Sequence, residues 1–174
     1  SGASIFIVEI SGAVGGPMNT DINGSEFILD VDGDSSITAD TDDQIDFKAG
    51  GTDRFVLSSA NAKFNVGAYN AEATLTDAST ISWDVSTSPV AKVTLGGNRT
   101  LGAATNAQTG QFVSILFIQD GTGSRTITFN AAYEHTEDTA PTLTTTASKG
   151  DLFVYRYNGS KFLEVGRNLN LTLS

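Results

Sequence analysis

The sequence predicts an all-β protein: a short-stranded repetitive stalk followed by an antiparallel, jelly-roll-like β-sandwich, working as an oligomer. Three observations carry that reading. Val, Ile, Thr and Phe recur along the 174 residues with 18 glycines spread among them, and nowhere do apolar side chains recur at helical spacing over three turns. Ten of the twenty acidic side chains lie between Asp21 and Asp53, while residues 76–174 carry eight acidic against seven basic groups. Strands also become longer and better patterned from Leu75 onward. These shifts divide the chain into a docking arm or edge strand (1–20), an acidic repetitive β stalk (21–70) and a C-terminal β-sandwich domain (71–174). The length suits one core plus an extended segment.

In residues 1–20, Ile5 to Ile10 read as one short apolar strand, and Gly12-Ala13-Val14-Gly15-Gly16-Pro17 favours turn or linker. Docking arm and edge strand both remain open. The apolar run Ile5-Phe6-Ile7-Val8 is too short for a signal-peptide core and meets Glu9 at once. No transmembrane span is present.

From Gly24 to Val66 the apolar clusters are Phe27-Ile28-Leu29, Ile37, Ile45 with Phe47, Phe55 with Leu57, and Phe64 with Val66. Turn-forming stretches such as Asp32-Gly33-Asp34-Ser35 and Ala49-Gly50-Gly51-Thr52 separate them, so the segment reads as four or five short strands. Each strand offers one or two large apolar side chains. Ordering the backbone costs roughly 1–2 kcal/mol per residue, whereas each large side chain buried returns about 1.5–3 kcal/mol. A single copy therefore buries too little. Copies wrapped about an axis would bring Ile37, Ile45, Phe47, Phe55 and Leu57 into a shared core.

Beyond Leu75 the strands fall at residues 80–85, 90–95, 111–119, 125–129, 151–157 and 161–165. Val90, Lys92 and Thr94 alternate with Ala91, Val93 and Leu95, the period of a sheet with one wet face. Residues 112–118 are apolar at nearly every position, as expected of a central strand covered on both faces. Asn158-Gly159 signals a hairpin of the primed type, and Gly96-Gly97-Asn98 and Gly121-Thr122-Gly123 close other connections, the former as a hairpin turn.

A formal net charge of -10 and a pI near 4.3 argue against nucleic-acid binding and against anionic membrane surfaces, because both need clustered Lys and Arg. The chain contains no cysteine, which excludes disulfides, thiolate nucleophiles and Cys-based zinc sites. Asp30, Asp32 and Asp34 match alternate positions of a calcium loop. Ser35, however, stands where such loops place glycine and Thr41 where they place a bidentate glutamate. The alternative is an acidic, solvated turn. His135 is the only histidine and has no nucleophile-elbow serine to serve. Carboxylate pairs are plentiful, yet they crowd turns instead of flanking a cleft. Trp83 reads as packing. Tyr133 and His135, in the irregular segment 130–142, are the candidate receptor contacts, since exposed loops on a rigid scaffold commonly carry binding function.

Several motifs then follow in order: Leu75-Thr76-Asp77-Ala78 with Ile81-Ser82-Trp83-Asp84, Val93-Thr94-Leu95-Gly96-Gly97-Asn98-Arg99-Thr100-Leu101, residues 119–129, and Thr144-Thr145-Thr146-Ala147-Ser148-Lys149. Over about the last hundred residues the chain resembles the C-terminal β domain of tailed-bacteriophage virion appendage proteins, of the tail-fibre and head-fibre-like marine-phage type. The acidic stretch 29–47 is similar to the repetitive part that precedes such domains. The resemblance implies a virion structural protein, assembled in the host cytoplasm and exposed on the particle, and it brings no catalytic residues. The expectation is a non-enzymatic homotrimer acting in host surface attachment through avidity. Its expected partners are its own copies, other virion proteins and a host surface glycan. A capsid decoration or head-fibre protein bracing the shell and a fragment of a polysaccharide-depolymerase tailspike are the alternatives.

Overall fold

The computed structural model describes residues 26–173, so the expected docking arm or edge strand at 1–20 lies outside the described residues. All-β architecture is borne out: apart from one 3-10 turn at Thr136–Asp138, the regular elements are strands in three sheets. The chain divides into two compact units between Ala68 and Tyr69.

The first unit is a five-stranded meander of β1 (Phe27–Ile28), β2 (Ser36–Thr38), β3 (Gln44–Ala49), β4 (Thr52–Ser58) and β5 (Ala62–Phe64), each pairing antiparallel with the next. Its β3–β4 turn shows why the sequence chooses this form. Ala49 pairs with Thr52, leaving Gly50 and Gly51 as a two-residue loop with φ of 61° and 67°. Two successive positive φ angles define the hairpin turn whose twist matches a right-twisted strand pair, and glycine adopts them without a Cβ clash.

The second unit holds a six-stranded sheet of order β12-β14-β13-β10-β8-β6 and a three-stranded sheet of order β11-β9-β7. The elements are β6 (Ala73–Thr74), β7 (Thr80–Ile81), β8 (Val90–Leu95), β9 (Arg99–Leu101), β10 (Phe112–Gln119), β11 (Ile127–Phe129), β12 (Tyr133–Glu134), β13 (Lys149–Tyr157) and β14 (Phe162–Thr172). From β6 to β11 the chain alternates between the two sheets, and each strand lies parallel to the one two places earlier. Ala73 pairs with Ala91 and Ala91 with Ile115 in one sheet; Thr80 pairs with Thr100 and Thr100 with Thr128 in the other. The result is three flattened coils. The antiparallel β13–β14 hairpin continues the larger sheet beside β10.

This winding corrects the expectation of antiparallel pairing throughout the sandwich. The cause lies at the connections. Residues 96–98 do not form a hairpin; they turn the chain through a corner into the opposite sheet, and two such corners return it running in its original direction. Asp77 holds this corner: its carboxylate accepts hydrogen bonds from Arg99 Nε at 2.7 Å, Arg99 Nη2 at 2.8 Å and the Gly96 amide at 3.0 Å. The Arg99 guanidinium lies so close over Gly97 that a Cβ there would sit 2.5 Å from Nη1.

Alternation along the strands fills one core between the sheets. Ile81 and Leu101 come from the smaller sheet; Ala91, Val93, Leu95, Val113, Ile115, Phe117, Phe153 and Tyr155 come from the larger. The Phe117 and Phe153 rings meet edge-on at 5.7 Å, and Phe129 approaches both. Trp83 is buried in this core, with its indole N-H donating to the Ser88 carbonyl at 2.7 Å. The reading of β10 as covered on both faces is also corrected, because Phe112 stays 59% exposed and Ser114, Leu116 and Ile118 only half-buried. Their neighbours on that face are lateral: Leu116 pairs with Leu152 and Ser114 with Val154. At the β13–β14 turn the Asn158 amide donates to the Lys161 carbonyl at 3.0 Å around Gly159 and Ser160, Gly159 takes positive φ, and Asn158 Oδ1 accepts from the Ser160 and Lys161 amides.

Candidate functional site

The first unit places its strand phenylalanines on one face of its sheet, with Ile37, Ile45 and Leu57, while Ile28 and Val56 pair with Ser36 and Asp46 on the other. Cross-strand register aligns Phe27 with Ile37, Ile37 with Phe47, Phe47 with Phe55 and Phe55 with Phe64, a single row across all five strands. Ile45 and Leu57 pair beside it. The phenyl rings pack in series at a tilt, with centroids 5.4 Å apart for Phe47 and Phe55 and 4.9 Å for Phe55 and Phe64. Spacing of two residues along each strand and direct opposition across strands make this face inevitable once the register is set.

The face is open. Phe27, Phe47 and Phe64 are 57%, 38% and 60% exposed, and Ile45 and Leu57 are 42% and 43% exposed. Among the described residues every buried apolar side chain belongs to the second unit, whereas the buried residues of the first are Ser36, Thr38 and Asp46, on the opposite face. Asp46 accepts from Gln44 Nε2 at 3.0 and 2.8 Å, and Ser36 donates to Glu26, which also pairs with Lys48 at 2.8 Å. Contiguous exposed apolar patches are uncommon on soluble monomers. The sequence identified five of these positions. Phe27 and Phe64 join them because register, rather than spacing, puts them in the row.

Asp30, Asp32 and Asp34 do converge: one carboxylate oxygen from each lies within 4.8 Å of the others. Asp30 Oδ1 already accepts from the Gly33 and Ser35 amides at 3.1 and 3.2 Å, so it also closes its own turn. Hydrogen bonding from Ser35 is the main reason its carboxyl titrates below the usual range.

Tyr133 and His135 are placed otherwise than the loop reading expects. They are only 5% and 8% exposed. Tyr133 stacks on Phe162 at 5.3 Å and donates its hydroxyl to the Gly102 carbonyl at 3.0 Å. His135 Nε2 lies 3.1 Å from the Tyr155 hydroxyl, and its ring packs edge-on to Phe129 at 4.6 Å. The short strand β12 pairs with β14 and draws both rings into the core, which removes the exposure on which a receptor contact at these residues rested. Burial lowers the His135 pKa and raises those of Tyr133 and Tyr155. Beside them, Glu164 receives the Thr136 amide at 3.3 Å, and Arg167 Nε stands 3.0 Å from its other oxygen, an ion pair outside hydrogen-bond geometry. Nothing in the local sequence signals that this polar group gathers under the turn at Thr136–Asp138.

A family model described as "Putative phage tail fibre C-terminal domain" matches residues 74–161. No curated protein matches the chain. The matched span runs from within β6 to the residue before β14 and so takes in all three coils.

Proposed function

The chain belongs to the phage tail fibre C-terminal domain family through residues 74–161, and we propose that it acts in host surface attachment as a homotrimeric fibre component whose stalk is a core shared between copies. A structural role in the tail fibre, and with it a place in the virion, follows from family membership. The trimer and the host contact are the proposal.

The observation that carries it is the open row Phe27, Ile37, Phe47, Phe55 and Phe64. Burying a large apolar side chain is worth about 1.5–3 kcal/mol, and an isolated sheet this small with one bare apolar face lacks the second layer that sheets need. Copies packing these faces together supply that layer. The second unit has its own buried core and needs no such help. Several identical copies on one stalk then act through avidity, in which linkage raises the effective concentration of each weak contact.

Pre-incubating host cells with the purified chain tests the attachment reading. Phage adsorption should fall in a saturable way as the chain occupies receptors. Adsorption unchanged at saturating chain would contradict it.

A further inference from the structure

We propose that Asn158 is a self-modification site: the turn that carries it promotes closure of the Asn158 side chain on the Gly159 amide nitrogen, so that the folded protein converts this asparagine to aspartate and isoaspartate. The inference concerns the β13–β14 turn of the second unit and does not depend on the attachment reading.

The reacting groups are adjacent and open. Asn158, Gly159 and Ser160 are all exposed. The Gly159 amide donates to no acceptor among the described residues, so solvent base can reach its proton, and glycine brings no side chain to crowd the approach to Asn158 Cγ. Only Asn23 and Asn158 precede a glycine in the chain, and Asn23 lies outside the described residues.

The carbonyl end of the side chain singles the turn out. Asn158 Oδ1 accepts from the Ser160 amide at 2.9 Å and from the Lys161 amide at 2.7 Å. When the Gly159 nitrogen adds to Cγ, negative charge develops on this oxygen, and two backbone donors already point at it from the distances an oxyanion requires. Donors to an amide carbonyl lie near its plane, whereas a nucleophile adds from above or below that plane. The two bonds therefore leave the reacting faces clear. They also fold the side chain back over the turn, which removes much of the rotational search that an unfolded chain must make. The Asn158 amide, donating to the Lys161 carbonyl at 3.0 Å, holds the main chain in the same arrangement. Asn130 provides the contrast: its Oδ1 accepts a single amide, from Ala132 at 2.9 Å, and the residue that follows it is Ala131, whose Cβ crowds the attacking nitrogen.

The chemistry needs only water. The Gly159 nitrogen gives its proton to hydroxide or water and forms a bond to Cγ; the bond from Cγ to Nδ2 breaks, and that nitrogen takes up a proton and leaves as ammonia. One water then opens the five-membered succinimide. Opening at the side-chain carbonyl ester-like position of the ring, Cγ, leaves aspartate, and opening at the main-chain carbonyl leaves isoaspartate, whose main chain runs through Cβ. Both products add a negative charge to the turn, and isoaspartate also lengthens its main chain. The turn packs where that matters: a Cβ at Gly159 would stand 3.0 Å from Thr109 Oγ1, and the Gly110 amide donates to the Tyr157 carbonyl at 2.8 Å.

The full chain is aged at neutral pH and physiological temperature, folded in buffer and unfolded in concentrated urea. Mass spectrometry follows the peptide containing residue 158, and electron-transfer fragmentation separates isoaspartate from aspartate. Conversion is expected to be at least about threefold faster in the folded chain, with both products formed. Ser160→Pro removes one amide donor while keeping the Asn-Gly pair, and should slow conversion in the folded chain about three- to tenfold, the effect of one net hydrogen bond. A folded-state rate equal to or below the unfolded one, aspartate as the sole product, or a folded Ser160→Pro chain that converts as fast as the parent would overturn the proposal. The comparison of folded and unfolded parent decides the matter even where the variant does not fold.

Discussion

Phe55 and Phe64 face each other across β4 and β5 with ring centroids 4.9 Å apart, yet Phe64 keeps 60% of its surface exposed. On the proposed reading these two rings are half of an interface between copies. Phe55→Asp should remove about 2 kcal/mol of burial per copy, place a charge in the shared core, and raise the dissociation constant of the oligomer more than about tenfold. Sedimentation velocity across a concentration series reads the shift. The near-ultraviolet signal of Trp83 should be unchanged, since the second unit has its own core.

Phe153 is fully buried and packs against Phe117 at 5.7 Å and Phe129 at 5.6 Å. Truncation to alanine removes both contacts and leaves a cavity between the sheets. Phe153→Ala should cost about 3–5 kcal/mol, measured as a lowered denaturation midpoint with an unchanged slope.

His135 provides a pH test whose sign is fixed. Burial holds its pKa below 6.5, with Arg167 acting in the same sense and Glu164 and Glu134 opposing. The unfolded chain therefore binds the proton more readily than the folded one. Stability from the neutral imidazole is fully present above the unfolded value of about 6.5 and is lost as pH falls through the lower folded value. Asp77, Asp84 and Asp120 also have lowered pKa values, chiefly through hydrogen bonds from Arg99, Ser86 and Arg125, and their contribution fades only below about pH 4. Melting temperature should therefore decline between pH 6.5 and 5, and His135→Gln, which keeps a polar partner for Tyr155, should flatten that part of the profile. Equal slopes in parent and variant would contradict the assignment.

Two glycines flanking one residue make a matched pair. Gly123 is buried with φ of +75°, and a Cβ there would lie 2.5 Å from the Thr145 carbonyl oxygen and 2.8 Å from the Ala147 amide nitrogen. Gly121 is exposed, and a Cβ there meets nothing within 4 Å. Gly123→Ala should destabilise by about 1–3 kcal/mol through left-handed strain and overlap, whereas Gly121→Ala should stay within about 0.5 kcal/mol of the parent. Thermal unfolding of both variants checks the contrast.

Strand existence was legible because alternation is local: Ala91, Val93 and Leu95 announce a buried face by themselves. The coils were not legible. Ala91 meets Ile115 across a separation that no two-residue period encodes, and a corner at Gly96-Gly97 reads the same as a hairpin until the next strand's sheet is known. The burial of Tyr133 and His135 was not legible for a related reason: the polar run around them looks like loop, while the pairing of Tyr133 and Glu134 with β14 brings both rings inward. The phenylalanine row was legible in composition and spacing, and its extension to Phe27 and Phe64 only in register.

The central claim is that the first unit completes itself between copies, and native mass spectrometry of the purified chain at micromolar concentration tests it most directly. The account predicts a trimer of the 18.2 kDa chain that dissociates in Phe55→Asp. A stable monomer with the Phe27, Phe47 and Phe64 side chains still open to solvent would contradict it.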